Sequence, residues 1–130
     1  MQVREAKGGN ERILVVDDDD GMRRTVVKQL AALGYHVFDV SDAAAAIALL
    51  RRDPDFDLLL TDIVMPGSKS GAELARDARA LIPGLKILLT TGFQEVQTNI
   101  GNLPDHAPRL LGKPYRANEL ARVVREVLDT

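Results

Sequence analysis

Leu58-Leu59-Leu60-Thr61-Asp62 is the stretch that decides the fold. A short, continuous apolar run is the signature of a strand buried on both faces, as in a parallel sheet. Asp62 stands at its carboxyl end. The pattern recurs on either side: Ile13-Leu14-Val15-Val16 runs into Asp17-Asp18-Asp19-Asp20, Ile87-Leu88-Leu89 into Thr90-Thr91, and Leu110-Leu111 into Lys113-Pro114. In open parallel α/β sheets, ligands bind outside the carboxyl ends of the strands. Carboxylates, a hydroxyl and an ammonium would therefore meet at one edge, a combination suited to a divalent cation and a phosphoryl group.

Helix-period segments lie between these runs. The first begins near Gly21, with Met22, Val26, Leu30 and Leu33 inward and Gly34 as its C′ residue. Tyr35 to Val40 reads as a second strand. Ser41 or Asp42 caps a helix that turns Ala43, Ala46, Ile47 and Leu50 inward. Phe56 to Thr61 is the third strand, followed by a helix from Gly71 to Leu81 with Leu74, Ala75, Ala78 and Leu81 periodic. Pro83-Gly84 turns the chain into a strand over Lys86 to Thr90, and a last strand lies near Arg109 to Leu111. The final helix starts near Ala117, with Leu120, Val124, Val127 and Leu128 inward. Gln94 to Pro108, interrupted by Gly101, Pro104 and Pro108, predicts only a short or irregular helix. This alternation implies right-handed crossovers and a parallel sheet covered on both faces.

A chain of 130 residues suffices for one domain. Its net charge of -2 argues against nucleic acid as the main partner. The absence of cysteine rules out disulfides, thiolate metal sites and a cysteine nucleophile. No apolar stretch approaches the ~20 residues that span a bilayer. Residues 1–10, ending in Gly8-Gly9-Asn10, read as a flexible leader or linker before a domain over residues 11–130. Arg109, Arg116, Arg122 and Arg125 read as solvated helix charges, with partner docking as the alternative.

Within the acidic run, Asp19 or Asp20 serves as a helix cap. Asp17 and Asp18, after a buried strand, call for a compensating cation, and oxygen-only ligands suit Mg²⁺. A calcium loop of the EF-hand type is excluded, because placing Gly21 at its sixth position puts Val16 at the first ligand. Asp57 lies about 16 Å from Asp62 along the strand, at the other edge of the sheet. Asp62 is placed to attack phosphorus. A hydroxyl from Thr90 or Thr91 would donate to a phosphoryl oxygen, and Lys113 would supply a point charge. The Lys113-Pro114 bond is a candidate cis peptide. Three functions fit these groups: a phosphorylation-driven signalling module, a partner-binding scaffold that needs no phosphorylation, and a Mg²⁺-dependent phosphohydrolase with an Asp nucleophile. The last is disfavoured by Gly21, which stands where a D-x-D phosphatase motif has Thr or Val.

Taken together, Ile13 to Asp18, Asp57 to Gly67, Leu88 to Gly92 and Leu111 to Pro114 resemble the receiver domain of two-component response regulators, over Glu11 to Leu128. The resemblance implies a flavodoxin-like three-layer αβα fold with a five-stranded parallel sheet in the order 2-1-3-4-5. It implies that Asp62 accepts a phosphoryl group from the phosphohistidine of a histidine kinase or histidine phosphotransfer domain, shifting the output face toward a downstream effector. Asp18, Asp62 and the Val64 carbonyl would hold Mg²⁺ directly, and Asp17 through water. Thr91 would be the switch hydroxyl, with Thr90 ranked second, and Lys113 the phosphate contact. A cytoplasmic location is implied, without direct contact to nucleic acid or membrane. Three departures stand out. The loop from Asp62 to Gly71 is one residue longer than the commonest pattern, a spelling similar to the receivers of hybrid sensor histidine kinases. Leu110 stands where the switch aromatic is usual. Val64 and Phe93 stand where polar residues often help water attack the acyl phosphate.

Overall fold

The computed structural model describes residues 8–65, 69–91 and 109–130. Five strands, β1 (Arg12–Val16), β2 (His36–Val40), β3 (Leu58–Asp62), β4 (Lys86–Thr91) and β5 (Arg109–Gly112), form one sheet in the order β2-β1-β3-β4-β5. Every pairing is parallel. The described helices are α1 (Asp20–Ala31), α2 (Ala43–Arg52), α3 (Gly71–Leu81) and α4 (Ala117–Leu128). The irregular helix expected between Gln94 and Pro108 falls outside the described residues.

Strand alternation divides the core in two. Leu14, Val16, Leu59, Ile87 and Leu89 face α2 and α3, meeting Ala46, Leu50, Leu74 and Ala78. Ile13, Val15, Leu58, Leu60 and Leu88 face α1 and α4, meeting Val26, Leu30, Leu120 and Val124. That arrangement is the expected three-layer sandwich. Caps fix where the helices start: the Asp19 carboxylate accepts from the Met22 amide at 2.9 Å, and that of Asp42 from the Ala45 amide at 2.7 Å. Ser70 and Glu73 form a reciprocal capping box on α3.

Several boundaries and faces differ from the sequence reading. Met22 is 36% exposed, because the first turn of α1 stands beyond the ends of the strands it would pack on. Leu81, 39% exposed, lines a cleft between α2 and α3 with Ile47 and Ala80. Gly34 adopts a left-handed φ of 98°, but two residues past the Ala32 C-cap, at C″ and not C′. Strand β3 begins at Leu58, since Phe56 turns aside, forms an edge-to-face pair with Phe38 and lies under the Arg12 guanidinium. Asp57 sits at the amino edge as expected, where its carboxylate accepts the Arg12 amide at 2.9 Å.

Gly8 and Gly9 are fastened to the folded chain. The Gly9 amide donates to the Leu33 carbonyl at 3.2 Å, and a Cβ added at Gly8 would lie 1.8 Å from that oxygen, so only glycine fits. Arg125 fastens this segment. Its guanidinium donates to the Gly8 carbonyl at 3.2 Å, to both Glu11 oxygens, the closer at 2.6 Å, and to Asp129 at 2.8 Å. Arg125 is thus a clasp between the chain start and the last helix, not a solvated charge. Its hydrogen bond holds the Glu11 carboxyl below the ordinary 4.5. A carboxyl depressed in the folded state stabilises above its unfolded pKa and loses that contribution as pH falls through its folded value. Arg125→Met should therefore cost roughly 1 kcal/mol at pH 7 in denaturant unfolding. The difference from wild type should shrink as pH falls below the ordinary carboxyl value of 4.5 and Glu11 protonates.

Candidate functional site

The carboxyl ends of β1, β3 and β5 gather the groups singled out in the sequence. Because side chains alternate, Asp17 follows the parity of Ile13 and Val15, Asp62 that of Leu58 and Leu60, and Lys113 that of Leu111. All three therefore emerge on the α1 and α4 side of the sheet. The Lys113 ammonium donates to Asp62 Oδ2 at 2.9 Å, although 51 residues separate them. Carboxylate oxygens of Asp17, Asp18 and Asp62 lie within 4.8 Å of one another. Asp17 is buried, Asp62 half-buried and Asp18 exposed. The Lys113-Pro114 peptide is cis.

Both threonines adjoin this cluster. Thr90 is the register partner of Asp62, and its carbonyl accepts the Ile63 amide at 2.9 Å. Thr91 is fully buried one residue nearer the edge, where its carbonyl accepts the Lys113 amide at 2.7 Å. Val64 is exposed two residues beyond Asp62. Gly92 and Phe93 fall outside the described residues. Leu110 is partly buried against the α2 and α3 core.

The electrostatics show what the cluster lacks. Burial pushes the Asp17 carboxyl up, aided by the charges of Asp62 and Asp18 and opposed by the Asp19 amide and Lys113. Burial is also the largest influence on Lys113 and would lower it. The hydrogen bond to Asp62, with the charges of Asp62 and Asp17, outweighs burial and leaves the ammonium above its ordinary value. One ammonium against three carboxylates leaves excess negative charge. Asp62 Oδ1 is buried and has no hydrogen-bond partner among the described residues. A buried, unpartnered carboxylate oxygen is costly unless a cation or donor completes it. This donor set, oxygen-only and acidic, fits a divalent ion of the Mg²⁺ kind.

Two contributors were not foreseen. Gly71 brings α3 against the chain leaving β3: its amide donates to the Ile63 carbonyl at 2.6 Å, and an added Cβ would meet the Asp62 carbonyl at 2.1 Å. The Gly71 amide at the head of an otherwise ordinary helix carried no sequence signal for that approach. Tyr115, two residues after Lys113, packs against the α1 and α4 core. Burial raises its hydroxyl pKa, and the nearby Lys113 charge partly counters this.

Known proteins resemble this chain over most of its length. The family described as "Response regulator receiver domain" matches residues 13–125. The chain is 42% identical to the Response regulator receiver protein CpdR of Brucella abortus, over 91% of this chain and 97% of that protein. It is 30% identical to Sensor kinase CckA of the same organism, over 93% of this chain but 13% of the kinase. A response regulator receiver protein from Sinorhizobium medicae superimposes with a TM-score of 0.81 at 27% identity, covering 93% of this chain and 96% of that one. The chain belongs to the response regulator receiver domain family of two-component systems. No described helix is long and apolar enough to cross a membrane.

Repulsion within the carboxylate cluster has a measurable consequence. In chelator, Asp18→Asn should raise stability by about 1 kcal/mol, since it removes one like charge within 4.8 Å of two others. Thermal melts should show this as a gain of about 3–5 °C. Mg²⁺ should then raise the melting temperature of wild type far more than that of the variant. A variant that melts below wild type in chelator would contradict the repulsion.

Proposed function

We propose that Asp62 is the phosphoacceptor of a phosphorelay, charged by the phosphohistidine of a histidine kinase or histidine phosphotransfer domain. The observation that carries this reading is the Asp62 carboxylate itself, held on one oxygen by Lys113 and unpartnered on the other. An Asp62 oxygen attacks phosphorus as the P–N bond to the donor imidazole breaks, and the imidazole leaves with the bonding pair. Lys113 neutralises the gathering charge of the phosphoryl oxygens as a point charge. The Thr91 hydroxyl donates to a phosphoryl oxygen, and its rotation toward that oxygen passes the change to the output face. Asp17, Asp18, Asp62 and the Val64 carbonyl would hold Mg²⁺. When bound, that ion screens the repulsion between the Asp62 carboxylate and the incoming phosphoryl group.

The partners follow from the same reading. Similarity to CpdR over nearly its full length supports a self-sufficient response regulator, and similarity to a short stretch of a sensor kinase supports the same domain as part of a larger kinase. On this reading the protein acts in the cytoplasm through a protein effector, without direct contact to DNA or membrane. The net charge of -2 agrees with that.

Acetyl phosphate with Mg²⁺ should add one phosphoryl group to wild type by intact mass and none to Asp62→Asn. Equal labelling of both would reject the assignment. A second expectation concerns lifetime. Exposed Val64 offers no polar group to orient water, so the acyl phosphate should decay slowly. Decay within seconds in the presence of Mg²⁺ would contradict it.

A further inference from the structure

Arg23 stands behind the acidic loop and uses its whole guanidinium to hold it. One terminal nitrogen donates to the Asp17 carbonyl at 2.8 Å, the other to Asp20 Oδ1 at 2.7 Å, and Nε to Asp39 Oδ2 at 2.8 Å. Its own amide donates to the Asp19 carbonyl at 2.9 Å. The side chain is only 14% exposed. The isolated pair with Asp20, three residues away on an exposed turn, would contribute little. What sets Arg23 apart is the combination: it ties the backbone of Asp17 and the first turn of α1 to the end of β2, the edge strand. Inside the loop, the Asp17 carboxylate is fixed on one oxygen by the Asp19 amide at 2.9 Å. The carboxylate of Asp18, by contrast, makes no hydrogen bond or ion pair with another described residue. Its place therefore depends on the backbone that Arg23 fixes.

We propose that Arg23 is a positioning residue for the acidic pocket, setting the spacing of Asp17 and Asp18 and thereby the affinity for a divalent cation. The inference rests on the proposed phosphoacceptor reading of that pocket. Arginine is required because its planar fork reaches three acceptors at once, whereas a lysine ammonium is a single point. Groups behind a metal ligand commonly change affinity about 10-fold or more when removed.

Charge and position pull in opposite directions here, which makes the test decisive. Removing a positive charge near the pocket tightens cation binding by Coulomb attraction alone. Loosening the loop weakens it. Mg²⁺ affinity would be measured by calorimetry on wild type, Arg23→Met, Arg23→Lys and Arg24→Met, with melting curves in chelator to confirm folding. The proposal expects both Arg23 variants to bind about tenfold more weakly. Arg24→Met, which removes the same charge one residue away, should bind as wild type or tighter. Unchanged affinity in Arg23→Lys together with unchanged or tighter binding in Arg23→Met would overturn the positioning role alone. Should Arg23→Met fail to fold, Arg23→Lys decides, because it keeps the charge and loses the fork. A wild type that binds no Mg²⁺ would overturn the phosphoacceptor reading and this inference with it.

Discussion

The 2.9 Å contact between the Lys113 ammonium and the Asp62 carboxylate ties the carboxyl ends of β3 and β5 together across the sheet. Around it, Asp17 and Asp18 approach within 4.8 Å of Asp62. The single ammonium does not balance three carboxylates, so without a further cation the cluster opposes its own assembly: like charges repel and buried carboxylates lose hydration. It persists because the strands that end there are held elsewhere. Leu58, Leu59, Leu88 and Leu89 are fully buried between two helix layers, and each such side chain contributes about 1.5–3 kcal/mol on burial. The apolar runs fix the register, and the register delivers the polar residue after each run to the same edge.

That division of labour explains why the local devices around the site are so particular. Gly71 lets α3 close onto the Asp62 carbonyl, and the Ile63 and Lys113 amides continue the β3–β4 and β4–β5 pairing past the acidic residue and Gly112. Each fixes a backbone position within the pocket without adding a charge to it. Arg23 fixes the backbone of the loop after β1 with three polar anchors, two of them the carboxylates of Asp20 and Asp39. Like-charge repulsion and burial of ionised groups, concentrated at one edge and held by the packed layers, are the usual condition of a functional site.

Much of this was legible in the sequence because it is written in short-range pattern. Apolar runs mark the strands, the residue after each run marks the edge, and Asp19, Asp42 and Ser70 stand where helices begin. Asp57 shows how far parity and rise alone reach, since its distance from Asp62 along one strand settles that it belongs to the other edge. What was not legible depends on contacts between distant segments. Arg125 reaches Glu11 across 114 residues, and no periodicity announces that pairing. Likewise, the exposure of Met22 and Leu81 reflects where strands end and helices diverge, which helical periodicity does not encode. Gly8 and Gly9 read as linker by composition, yet glycine is also what a close approach to the Leu33 carbonyl demands.

The proposed role requires these distant groups to form one cation-assisted acceptor pocket around Asp62. A crystal structure of the protein with Mn²⁺ and fluoroberyllate, read through the anomalous signal of manganese, tests it most directly. Manganese should lie among the carboxylates of Asp17, Asp18 and Asp62, with fluoroberyllate seated on Asp62 and the Lys113 ammonium in contact with fluoride. Manganese at any other site, or fluoroberyllate seated away from Asp62, would contradict it.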